Sequence, residues 1–69
     1  METLRISLKA ARINAELSQR EAARCLGISI STLQNYESGK TVPDWNMVGK
    51  ISDLYDLSSD YIFFGKDSA

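Results

Sequence analysis

Sixty-nine residues with a net charge of -1, 43% hydrophobic and 25% charged side chains, make an ordinary globular composition and a small core. One cysteine and no histidine exclude an internal disulfide and argue against a zinc site, and no run approaches the ~20 apolar residues of a membrane span. The expectation is one domain over residues 1–69, core about 7–65, in the cytoplasm, with no leader peptide, cofactor or metal.

The charge is unevenly placed. Residues 1–43 hold six Lys or Arg against four Glu, whereas residues 44–69 hold two Lys against five Asp. The first part is therefore cationic and the second acidic, a polarity that suits one face turned toward phosphate.

Met1 to Ile6 reads as a loosely ordered lead. Ser7 caps a first helix from Leu8 to about Ala15, with Leu8, Ala11 and Ala15 as its buried stripe and Arg12 beside them. Glu16 then stands where a helix-ending Gly or Asn would be comfortable, and Leu17 is expected to be buried. Ser18 with Glu21 forms a capping box, so a second helix starts at Gln19. Ala22, Ala23 and Leu26 give it a small apolar face, on which Cys25 is expected to be partly buried. Gly27 ends it and Ser29 caps a third helix over residues 30–37.

In that third helix Leu33 and Tyr36 point inward. Ile30, Ser31, Gln34 and Asn35 are left outside, a polar surface nearly free of charge. Two short helices joined by so tight a turn, with Ala23 four residues before Gly27, carry the spacing of a helix-turn-helix. Gln and Asn amides each donate and accept, which suits the major-groove edge of adenine.

Gly39 stops the third helix, and Lys40 to Pro43 form a loop. Asp44 caps a helix from Trp45 to Tyr55 whose core face is Met47, Val48, Ile51, Leu54 and Tyr55. Ser58 caps a last helix from Ser59 to about Phe64, with Gly65 as its stop and 66–69 frayed. Ile62 belongs to the core, and at least one of Tyr61, Phe63 and Phe64 stays partly exposed, as a lid on the core or as a dimer contact. Tyr36 and Tyr55 read as core aromatics whose hydroxyls reach the surface. The result is an all-α fold of five short helices with no strands.

From Leu8 to Gly65 the chain resembles the small helix-turn-helix repressors of the lambda-type repressor and Cro class, the Xre family, in its phage and mobile-element form. The resemblance is carried by Arg12, Leu17-Ser18-Gln19, Ala22-Ala23, Leu26-Gly27-Ile28-Ser29, Leu33, Tyr36-Glu37-Ser38-Gly39-Lys40, Pro43, Ile51, Leu54 and Leu57-Ser58. It implies a lambda repressor-like domain that binds double-stranded DNA. Base edges would be read by Gln19, Ile30, Ser31, Gln34 and Asn35. Phosphates would be gripped by Lys9, Ser18, Ser29, Ser38, Lys40 and Thr41. Arg12 and Glu37 would form a structural ion pair. Two departures stand out, Ile30 at a position that is often polar and Glu16 in place of the common Gly.

The leading expectation is a sequence-specific transcriptional repressor acting as a homodimer on a palindromic operator, with no small-molecule ligand. The competing one is a protein-interaction module, such as an antitoxin-like or anti-repressor subunit, motivated by the acidic second half and the aromatic tail. An enzyme is not expected, since no histidine, paired carboxylate, phosphate-cradling glycine loop or metal-ligand cluster is visible.

Overall fold

Each helix begins on a side-chain cap. The computed structural model describes residues 4–65. Within it α1 (Leu8–Asn14), α2 (Gln19–Leu26), α3 (Ile30–Ser38) and α4 (Trp45–Tyr55) follow Ser7, Ser18, Ser29 and Asp44. Each cap oxygen accepts from the backbone N–H three residues on, at Ala10, Glu21, Thr32 and Met47. A cap of this kind stabilises a helix by about 1 kcal/mol over alanine. At α2 the Glu21 side chain also returns to the Ser18 N–H at 2.9 Å, completing the capping box. That backbone N–H, followed by the Ser18 hydroxyl, holds the Glu21 carboxyl below its ordinary value.

The four helices also stop alike. Glu16, Gly27, Gly39 and Asp56 are left-handed, with φ of 61°, 72°, 81° and 51°. In each case the next residue donates its N–H back to a carbonyl five residues earlier: Leu17 to Arg12, Ile28 to Ala23, Lys40 to Asn35 and Leu57 to Ser52. This is the Schellman closure, which satisfies carbonyls that a helix end leaves open. Two of the four left-handed positions are glycines. At Glu16 and Asp56 a side chain bears the strain.

Leu33 and Ile51 are fully buried at the centre. Around them lie Leu8, Ala11, Ala22, Ala23, Leu26, Tyr55 and Ile62, with Ala15, Leu17, Ile28, Tyr36, Met47, Leu54, Leu57 and Phe64 half-covered at the rim. The two alanines of α2 leave no bulk between backbones, which lets α2 pack against both α3 and α4. Leu17 is thus at the edge of the core rather than inside it.

The tail corrects two expectations. Among the described residues there is no fifth α-helix. A single 3-10 turn, Ser59–Tyr61, is followed by the extended residues Ile62–Phe63, here β2. These pair in parallel with β1 (Ile6–Ser7), Ile6 opposite Ile62 and Ser7 opposite Phe63. The fold is mostly helical with one two-stranded bridge, and Ile6 is held in it rather than being part of a loose lead. The physical reason lies in the pairing with Ile6–Ser7, which the β-branched and aromatic side chains of Ile62-Phe63-Phe64 accommodate in extended backbone. Ile62 is buried beneath the bridge and Tyr61 is half exposed. Residues 1–3 and 66–69, including the frayed end expected there, lie outside the described residues.

Two side chains also differ from expectation. Cys25 is exposed, because Ala22, Ala23 and Leu26 occupy the inward arc of α2 and Cys25 falls on the other side. The Tyr55 hydroxyl is buried without a hydrogen-bond partner instead of reaching the surface. Among the described residues no helix is long and apolar enough to cross a membrane.

Glu16→Gly should raise stability by about 0.5–1 kcal/mol, because glycine accepts the left-handed backbone without the side-chain clash. The midpoint of a urea titration measures it. A lower midpoint would mean that the Glu16 side chain contributes more than its backbone strain removes.

Candidate nucleic-acid interface

The candidate face is built from α3 and the ends of α2 and α1 that hold it. Leu33 anchors α3 to the core, and Ile30, Ser31 and Gln34 are exposed, with Ile30 at 36%. Asn35 is half-buried. The one charged residue of α3 is Glu37, and its side chain is turned inward at 6% exposure. The outer side of the helix therefore presents amides, a hydroxyl and one aliphatic group, with no charge.

Glu37 is held by two neighbours. Arg12 Nε donates to Glu37 Oε2 at 2.6 Å and Arg12 Nη2 to Oε1 at 3.3 Å. Arg12 Nη1 donates to the Leu17 carbonyl at 2.8 Å. Gln19 Nε2 donates to Glu37 Oε1 at 3.0 Å, and Gln34 Nε2 donates to Gln19 Oε1 at 3.3 Å. One connected chain of hydrogen bonds thus runs from α1 through α3 and the start of α2 to the exposed side chain of Gln34. Arg12 is itself buried, and a buried pair of this kind is tolerable only when its donors and acceptors are matched. Here three guanidinium donors and both carboxylate oxygens have partners.

The other positions singled out from sequence divide into two groups. Lys40 and Thr41 are exposed directly after α3, and their backbone N–H groups both donate to the Asn35 carbonyl. Ser18, Ser29 and Ser38 are exposed but already engaged. Ser18 and Ser29 cap helices, Ser29 also shares a hydrogen bond with Thr32 at 2.9 Å, and Ser38 donates to the Asn35 carbonyl at 3.2 Å. Ser18 retains its O–H as a donor; Ser38 would have to release its present partner to reach a phosphate. Lys9 is exposed on α1 and shares no hydrogen bond with the group.

Sequence reasoning paired Arg12 with Glu37 but did not connect Gln19 to either Glu37 or Gln34. It also missed the setting of Tyr55. Burial pushes this hydroxyl up to about 12, with the Glu37 carboxylate adding to the rise and Arg12 opposing it. The pattern of tyrosine at the end of an apolar helix face gave no hint of an enclosed hydroxyl.

The helix-turn-helix domain model matches residues 3–61. The chain belongs to that family. Its two helix-turn-helix elements are α2 and α3, joined through Gly27 and capped again at Ser29. Among curated proteins this helix-turn-helix chain is similar to the HTH-type transcriptional regulator ImmR of Bacillus subtilis, 45% identical over 60 residues, which is 87% of this chain and 46% of that one. It is also similar to the uncharacterized HTH-type transcriptional regulator YqaE of the same organism, 34% identical over 62 residues, 90% of this chain and 53% of the relative. The chain spans about half the length of the curated relatives it matches. No solved structure matches it.

Glu37→Ala should destabilise the fold by about 3–5 kcal/mol, since it leaves a buried guanidinium without its counter-charge. Gln34→Ala, at the exposed end of the same chain of hydrogen bonds, should change stability by no more than about 0.5 kcal/mol. Chemical denaturation of both variants checks the contrast.

An unfolded tyrosine loses its proton near the ordinary value of 10.0, whereas folded Tyr55 keeps it to about 12. Between those values the folded state binds the extra proton. The Tyr55 contribution is therefore complete below pH 10 and lost as pH rises toward 12. Tyr55→Phe should flatten that part of the stability profile measured by denaturation across the alkaline range.

Proposed function

We propose that residues 1–69 act as one sequence-specific DNA-binding domain of a transcriptional regulator, a repressor, with α3 seated in the major groove. The observation that carries this reading is the outer side of α3. A helix kept merely soluble usually carries Lys and Glu outward, whereas this one folds its single charge inward against Arg12 and offers hydroxyl and amide groups outside. Exposed Ser31 and Gln34, with the part of Asn35 that remains accessible, have the donors and acceptors that base edges require. The relatives named as transcriptional regulators support the same reading.

In this proposal Ile30, Ser31, Gln34, Asn35 and Gln19 meet base edges, with Ile30 packing on a thymine methyl. Lys40 and Thr41, placed at the end of α3, grip phosphate, joined by Ser18 through its free O–H, by Ser29 and Ser38 after exchange of their present partners, and by Lys9 from α1. Arg12 and Glu37 serve the fold. The weak net charge gives little non-specific attraction, so a single copy would bind modestly. Two copies would place two recognition helices roughly 34 Å apart on a palindromic site. Val42, Trp45 and Tyr61, exposed at 63%, 86% and 50%, offer apolar surface for the second copy. The regulator would work in the cytoplasm on chromosomal or mobile-element DNA.

Selection of bound duplexes from a random pool tests the reading and should return an inverted repeat. Gln34→Ala should relax preference at one base pair per half-site, by about 1–3 kcal/mol of discrimination. Lys40→Ala should instead weaken all duplexes alike and reduce the slope of log affinity against log salt by about one. Failure to retain any sequence, at any salt concentration, would favour the protein-interaction reading.

A further inference from the structure

The three amino acids Glu37, Gln19 and Gln34 form a chain whose direction is set at one end. A carboxylate paired with a guanidinium accepts hydrogen bonds and does not donate them. Glu37 therefore requires the NH2 end of the Gln19 amide, which it receives at 3.0 Å. The Gln19 oxygen is then left to face Gln34, and it accepts one N–H of the Gln34 amide at 3.3 Å. Gln34 keeps one N–H and its carbonyl oxygen free. The two ends of an amide are nearly the same size, so only this polarity distinguishes them.

We propose that Glu37 is a positioning residue for base recognition: through Gln19 it commits one N–H of Gln34 away from the groove, and so makes Gln34 a reader of adenine that rejects guanine. The proposal rests on the groove-binding reading of α3. Adenine offers one acceptor, N7, and one donor, the N6 amino group, which the remaining N–H and oxygen of Gln34 match. Guanine offers two acceptors, N7 and O6, and would need both N–H groups of the amide. With Gln19 fixed as an acceptor, the second N–H is not available. If Gln19 were free to turn over, its NH2 would face the Gln34 oxygen, and both Gln34 N–H groups could then serve guanine.

The test compares base preference at the single position where Gln34→Ala loses discrimination, using selected duplexes and measured affinities. In the unaltered protein adenine should exceed guanine there by about tenfold or more. Glu37→Gln keeps the shape but can donate as well as accept, so that ratio should fall about tenfold, while preferences elsewhere in the half-site persist. Gln19→Met serves as the second variant, because it leaves Arg12 and Glu37 paired and removes the amide that relays Glu37 to Gln34. It should lower the same ratio in a protein that remains folded and keeps its preferences elsewhere in the half-site, a response that a purely structural role for Glu37 would not give. The Gln19→Met result stands alone if Glu37→Gln does not fold. A folded variant that retains the full adenine preference overturns the proposal while leaving groove binding intact. An unaltered protein that selects no sequence overturns both, and the two failures are distinguished by the unaltered protein alone.

Discussion

A single carboxylate, that of Glu37, joins the parts of this molecule that matter for its face. It closes the ion pair with Arg12 at 2.6 Å and takes the Gln19 amide on its other oxygen. Arg12 in turn holds the Leu17 carbonyl, at the turn between α1 and α2. Three helices are thereby fixed to one another by directional bonds, where a core of alanine and leucine alone would allow small slides. An apolar core sets which sides face inward. The buried pair sets the angle at which α3 is presented, because its hydrogen bonds weaken steeply when misaligned. The short chain makes this important, since a domain of such size buries only roughly 60% of its unfolded surface.

The helix ends show how the same local device serves two purposes. All four helices close by a left-handed residue and a backward N–H bond. In three of them the residue that follows is apolar, Leu17, Ile28 or Leu57, and it packs back on the core rim. After α3 it is Lys40, which is exposed. The sealing contact is absent at the one end where the proposed phosphate grip begins. The chain leaves α3 outward, placing Lys40 and Thr41 beside the polar surface instead of tucking an aliphatic group beneath it.

The caps were legible because each depends on residues three apart. Ser18 and Glu21, Ser7, Ser29 and Asp44 announce their helices without tertiary help, and the bounds of α2 and α4 follow from them directly. Glu16 could be marked from its place at a helix end, where Gly or Asn is comfortable, and its backbone is left-handed there. The tail was not legible. Tyr61-Ile62-Phe63-Phe64 is apolar at every position, so neither a helical nor an alternating period can be read from it. Its extended form is settled by Ile6 and Ser7, more than fifty residues away in the chain. The chain of bonds through Gln19 was hidden likewise: its members lie on α1, α2 and α3, and only the crossing of those helices brings the amides within reach. Ser31 and Gln34 could be placed outside by periodicity, whereas the partial cover on Asn35 depends on its neighbours.

Ile30, Ser31 and Gln34 protrude from a helix whose grip on the rest of the molecule comes through Leu33, Tyr36 and Glu37. Exchanging any of the three opens no void and exposes no buried charge. In the proposed role, base contacts at these three positions can change without loosening the helix, while Glu37 alone serves both the fold and, through Gln19, the base preference. Such a frame can drift to a new address in single steps, with every intermediate still able to fold.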